Sequence, residues 1–134
     1  MINEIAEMLA EHAQETAFPL ELPTMDQLVE AQEAMLISVP VEMRDYLLHS
    51  SNVIYGHLEP ATLADPNSHT YLPEMAAEAW DKGMPRELLP LCVDGESVYC
   101  VAEEGEVFLW EGNDDLLAIS DDVWQWVRDV WLQS

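Results

Sequence analysis

The sequence predicts an α+β fold in which a small antiparallel sheet of meander topology is covered by N-terminal helices and a C-terminal helix. Three observations carry that expectation. Apolar residues recur at helical spacing through the first half of the chain, three strand-like runs separated by glycine-containing turns follow, and a wide apolar helical face closes the chain.

Taken in order, Ile2, Ile5, Ala6, Leu9 and Ala13 share one face of a first helix that should end before Phe18-Pro19. Thr24 followed by Gln27 has the form of a capping box, and Leu28, Ala31, Met35 and Leu36 extend an apolar stripe along a second helix. Pro40 suits the first turn of a third helix, where the N–H it lacks would be unpaired, and Met43, Tyr46 and Leu47 recur on one face to about His49. Val53-Ile54-Tyr55 before Gly56 reads as a short strand or extended segment, and Leu58 to Leu72 is loop-rich. Pro73 opens a helix through Met75, Ala76, Ala79 and Trp80, with Gly83 placed to end it as a left-handed cap. Strand-like runs then cover Leu89 to Val93, Ser97 to Ala102 and Glu106 to Trp110, with turns at Asp94-Gly95 and Glu103-Glu104-Gly105. Ser120 is expected to cap a last helix, with Asp121 and Asp122 in its first turn, and Val123, Trp126, Val127, Val130 and Trp131 form its apolar face.

The 134 residues carry 27 acidic side chains against 4 basic ones, a formal net charge of -23. Such charge often accompanies disorder, but 49% of the chain is hydrophobic and the apolar residues are periodic, so one folded domain over residues 1–134 is expected. With only Arg44, Lys82, Arg86 and Arg128 as formal cations, the chain lacks the counterion-releasing groups that give nucleic-acid affinity, and an anionic membrane surface would repel it. The expected partner is a basic protein, steered in by Coulomb attraction. Met1-Ile2-Asn3-Glu4-Ile5-Ala6-Glu7 has neither a basic segment nor a continuous apolar one, which points away from a secretory signal and toward the cytoplasm. Oligomeric state is left open by the sequence.

Candidate chemistry is sparse. Cys92 and Cys100 flank the Asp94-Gly95 turn and could bridge, but buried free thiols are the favoured reading, since neither belongs to a CxxC or Cys/His array. His49, His57 and His69, with Glu59 and Asp65, match no ligand spacing, and no calcium loop, nucleophile elbow, P-loop or dinucleotide fingerprint occurs, so neither an enzyme nor a cofactor is expected. The candidate binding groups are instead carboxylates in or beside turns: Glu96, Glu103, Glu104, Glu106, Glu111, Asp114, Asp115, Asp121 and Asp122, expected to form one acidic face around the hairpins and final helix. Each alone reads as a solvated side chain; the cluster points to binding. Trp124 lies off the apolar stripe of the last helix and is a candidate exposed anchor, whereas Trp126 and Trp131 read as core. Tyr55 and Tyr71 flank the loop-rich segment and could line a groove.

Glu33-Ala34-Met35-Leu36-Ile37-Ser38-Val39-Pro40 followed by Asp45-Tyr46-Leu47-Leu48 resembles the entry motif of the SUKH superfamily, the cell-wall-assembly-regulator-like domains. Leu89-Pro90-Leu91-Cys92 with Asp94-Gly95, Tyr99-Cys100 and Gly105-Glu106-Val107 leading to Trp110 is similar to its central hairpins, so the resemblance spans about residues 20 to 112. Ser50-Ser51-Asn52 and Tyr55-Gly56-His57-Leu58-Glu59-Pro60 depart from its commoner pattern, which points to a subgroup. What the resemblance implies is a protein-binding module: in the bacterial branch an immunity protein that neutralises a secreted toxin, often a nuclease, or alternatively a regulatory or scaffolding module that binds an endogenous protein.

Overall fold

A computed structural model describes residues 3–15, 19–112 and 115–134. Ile2 and Phe18, expected on and beyond the first helix, and the candidate Asp114 lie outside the described residues.

Helix α1 (Glu4–His12) starts because Asn3 Oδ1 accepts from the amides of Ile5 and Ala6, at 3.0 and 3.2 Å. Leu9 is its fully buried residue; Ala13 falls at the exposed C-cap rather than on the packed face. In α2 (Met25–Met35) the capping box forms as expected, Gln27 N–H donating to Thr24 Oγ1 at 3.1 Å and Thr24 N–H to Gln27 Oε1 at 2.8 Å. Helix α3 (Val41–His49) begins one residue after Pro40, which sits at the N-cap, and α4 (Leu72–Asp81) has Pro73 in its first turn. Gly83, at φ 110, closes α4 by donating to the Trp80 carbonyl.

The sheet has four strands where the sequence predicts three: β1 (Leu89–Asp94), β2 (Ser97–Val101), β3 (Val107–Trp110) and β4 (Leu116–Ser120), antiparallel and in sequential order. The extra strand is a continuous apolar run without alternation, which periodicity does not distinguish from loop or helix. Val53-Ile54-Tyr55, by contrast, joins no sheet: Ile54 spends its carbonyl on the Gln14 amide at 2.7 Å, so the segment pairs with the chain following α1. The β1 edge is covered by residues 60–62, Ala61 N–H donating to the Leu91 carbonyl.

The two sheet faces bury separate clusters. Leu89, Leu91, Cys92, Val101 and Val107 pack against α1 to α4 and the final helix; Val98, Cys100 and Trp110 pack on the other face with Ala79, Met84 and Leu88. A bulge between Pro90 and Cys92 resets the alternation, so Cys92 stands opposite Tyr99 while Cys100 stands opposite Pro90. The thiols thus occupy different clusters, both buried and free, and burial pushes each up to about 12.

The last helix, α5 (Val123–Trp126), is sandwiched between α3 and the sheet and continues in π-helical turns over Val127–Trp131. Its cap is Asp122, whose Oδ1 accepts from Gln125 N–H at 2.9 Å, in place of the expected Ser120. Among the described residues no helix is long and apolar enough to cross a membrane.

Candidate partner-binding surface

In a meander the connections alternate between the two ends of the sheet, and this divides the acidic candidates. Gly95-Glu96 forms the β1–β2 turn, one residue later than the sequence predicts, with Gly95 at φ 63 in the first central position that a tight hairpin favours. Exposed Glu96 therefore shares an end with Glu111 and Asp115 in the β3–β4 connection. The β2–β3 turn, closed by Gly105 N–H donating to the Ala102 carbonyl at 2.9 Å, carries Glu103, Glu104 and Glu106 at the opposite end, where β4 also delivers Asp121 and Asp122. Five-residue β2 separates the ends by roughly 16 Å at ~3.3 Å per residue. The expected single acidic face is thus two acidic ends.

The end bearing Glu103 is the richer one. A Cβ placed on Gly105 would lie 3.2 Å from Glu42 Oε2, so the first turn of α3 sets another carboxylate against this hairpin. Glu87, just before β1, lines a depression of about 300 Å³ with Glu103 over Pro40, Leu89 and Val101. None of Glu87, Glu103, Glu104 and Glu106 is in an ion pair among the described residues. Asp122 does not belong with them, because it is half-buried and committed to its helix cap. Glu42 and Glu87 were missed from sequence, since only the docking of α3 and the chain before β1 brings them to the hairpin.

Trp124 and Tyr55 are tied into the fold. Trp124 is 8% exposed and meets the Tyr46 ring edge-on, because a helix held between α3 and the sheet is covered on both sides. Trp126 and Trp131 are core as expected, Trp126 packing on Tyr99 and Trp131 on Tyr46. Burial raises the Tyr46 hydroxyl above its ordinary range, with a smaller contribution from Cys92. Tyr55 and Tyr71 do not line the neighbouring groove: Tyr55 hydrogen-bonds the final helix and meets the His12 ring edge-on, and Tyr71 is the N-cap of α4.

A cleft of about 420 Å³ does form beside the loop-rich segment, and His57, Glu59 and His69 line it. His69 Nε2 lies 2.5 Å from Glu59 Oε2, while Thr62, Ser68 and Thr70 satisfy one another's hydroxyls at 2.8 Å. His49 is elsewhere, 3.8 Å from Asp45 on α3. Among the described residues no group of three or more His, Cys, Asp or Glu is placed to hold a metal ion.

Of the cations, Arg128 is held by Asp129 through bonds of 2.7 and 3.0 Å, which raise the guanidinium and lower the carboxyl. Arg86 stacks 3.6 Å over Trp80 and donates to the Met35 carbonyl at the end of α2. With 27 acidic residues against 4 basic ones the net field is strongly negative, and the end of the sheet with Glu42, Glu87, Glu103, Glu104 and Glu106 gathers several of the carboxylates.

No curated protein matches the sequence. Among solved structures, a crystal structure of a protein from Pseudomonas syringae pv. tomato superimposes with a TM-score of 0.90 at 50% sequence identity, covering 98% of each chain. The family profile described as "SUKH_5: SMI1-KNR4 cell-wall" matches residues 2–132. The meander, the helices that cover it and the match over nearly the whole length agree: the chain belongs to the SMI1-KNR4 cell-wall family, in its SUKH_5 group.

Proposed function

We propose that the protein is a non-enzymatic binding module that neutralises a basic, nuclease-type toxin domain by direct contact, in the manner of an immunity protein. Membership of the SUKH_5 family supports a protein-interaction module at the family level. The observation that carries the finer reading is the acidic end of the sheet, where Glu87, Glu103, Glu104 and Glu106 stand without ion-pair partners among the described residues on a chain of net charge -23. A nuclease needs a basic groove for phosphate, and a surface of this sign can occupy that groove while being repelled by nucleic acid and by anionic membranes. The same field accelerates encounter with a basic protein, toward roughly 10⁸–10⁹ M⁻¹s⁻¹ at low salt.

The test is capture from the native source with this protein as bait, at low and then raised salt, followed by assay of what is captured. The expected result is a basic nuclease-like domain that elutes as salt rises and is inhibited at one-to-one stoichiometry. Recovery of an endogenous protein without toxic activity would replace this reading with a regulatory module.

A further inference from the structure

Leu36 is a non-glycine residue held in the left-handed region, at φ 58 and ψ 34, and its side chain is 85% exposed. An L-residue there costs roughly 1–2 kcal/mol, and an exposed side chain recovers little of that by packing. The conformation is nonetheless firmly determined. Gln32 accepts from the Leu36 and Ile37 amides through its carbonyl and from Val39 N–H through Oε1, at 2.8 Å for the last. One residue, through its backbone carbonyl and its side chain, thus fixes the turn that presents Leu36 to solvent.

Leu36 is not isolated. Met25 and Val29, 59% and 42% exposed, precede it at helical spacing along α2, on an exposed stripe beside the one that buries Leu28, Ala31 and Met35. Val29, Glu33 and Leu36 line a shallow depression of about 300 Å³ whose wall includes Ile37 and Ser38. The same two residues wall the depression over Pro40, Leu89 and Val101 that ends at Glu87 and Glu103. The two depressions thus lie on either side of Ile37 and Ser38, with carboxylates Glu33, Glu87 and Glu103 around them. Arg86 lies nearby and keeps its charge, since Trp80 and the Met35 carbonyl are neutral partners, but the carboxylates Glu33, Glu87 and Glu103 outnumber it.

We propose that this surface, the pair of depressions running from Leu36 across Ile37 and Ser38 to Glu103, seats a segment of a partner protein in which apolar side chains are flanked by Lys or Arg, with Leu36 as its anchor contact. Charge complementarity selects the occupant: a second copy of this chain would bring another net charge of -23 against the same carboxylates, whereas a cationic segment is drawn to them. Exposed Leu36 and Val29, with half-buried Ile37, then supply the apolar contact that surface carboxylates alone do not. This assignment rests on the protein-binding reading above and adds where the partner sits and what it must carry.

Two synthetic probes test it on the full-length protein: a helical peptide with Leu at helical spacing and Lys elsewhere, and an oligolysine of equal charge. Affinity is read by fluorescence anisotropy and location by amide chemical-shift mapping. The Leu/Lys peptide is expected to bind about tenfold tighter than oligolysine and to shift amides around Val29, Ile37, Leu89 and Glu103. Leu36→Gly and Leu36→Asn, both compatible with the left-handed turn, are expected to remove that tenfold gain and leave oligolysine binding unchanged. Equal affinity for the two probes, or shifts confined to the Glu96 end, would overturn this seat while leaving the acidic-surface reading standing. Failure of both probes to bind would sink both readings. A wild-type dimer that Leu36→Gly dissociates would show that a second copy, not a cationic partner, occupies the surface.

Discussion

Trp131 donates its indole N–H to the backbone carbonyl of Tyr55 at 3.0 Å, and the Tyr55 hydroxyl reaches back to the Leu132 carbonyl at 3.4 Å. The pair ties the end of the chain to the segment following α3 across 76 residues of sequence. Close by, the equally buried Trp126 has no hydrogen-bond partner for its Nε1 among the described residues.

The contrast gives a prediction. Trp131→Phe and Trp126→Phe remove similar apolar area, but only the first also leaves the Tyr55 carbonyl without its donor. Trp131→Phe should therefore destabilise by about 1–2 kcal/mol more, read from urea midpoints at constant slope. Equal losses would mean that the Trp126 indole holds a partner of its own.

These residues also show how far the sequence could be read. Thr24 and Gln27 were legible as a cap because a capping box lies within four consecutive residues, and Trp126 and Trp131 as core because both fall on the wide apolar face with Val123, Val127 and Val130. Trp124 was misread because periodicity assumes one covered face, while α5 is covered on two. Strand β4 was invisible for want of alternation, and the division of the acidic residues between two ends follows from strand direction, which a list of turns does not convey. Leu36 was placed on the apolar stripe of α2, but it falls just past the helix in a left-handed cap that turns it out to solvent.

Asp121 and Asp122 are adjacent carboxylates with different expected behaviour. Asp122→Ala removes the acceptor for Gln125 N–H and should cost about 1 kcal/mol of stability. Asp121→Ala touches an exposed side chain, so its midpoint should stay within about 0.5 kcal/mol of wild type. Equal destabilisation by both would mean that Asp122 is not the cap that starts α5.

Stability should fall in alkali because of the two thiols. Burial holds Cys92 and Cys100 protonated up to about 12, whereas in the unfolded chain they ionise near 9.0. Below about pH 9 the contribution is fully present; above it the unfolded state sheds protons that the folded state keeps, so stability declines as pH rises toward 12. The limiting slope is about 1.4 kcal/mol per pH unit for each thiol. Tyr46 and Tyr99, also raised by burial, add to the decline in the same direction at higher pH. Urea midpoints at several pH values from 8 to 11 would show it, and the double Cys→Ala variant should start less stable yet lose less between pH 9 and pH 10. An unchanged slope in that variant would mean that the thiols are not responsible.

The last prediction separates strain from packing at Leu36. Glycine adopts the left-handed region without the roughly 1–2 kcal/mol penalty of an L-residue, but loses about 0.5–1 kcal/mol through its freer unfolded chain. The balance favours Leu36→Gly, which should raise stability by about 0.5–1 kcal/mol with an unchanged urea slope. A rise would mean that the wild-type chain holds a strained, solvent-facing leucine against its own stability, which is the condition expected of a contact kept for a partner. A fall of similar size would mean that the side chain recovers its strain within the fold, and Leu36 would lose its claim to be an anchor.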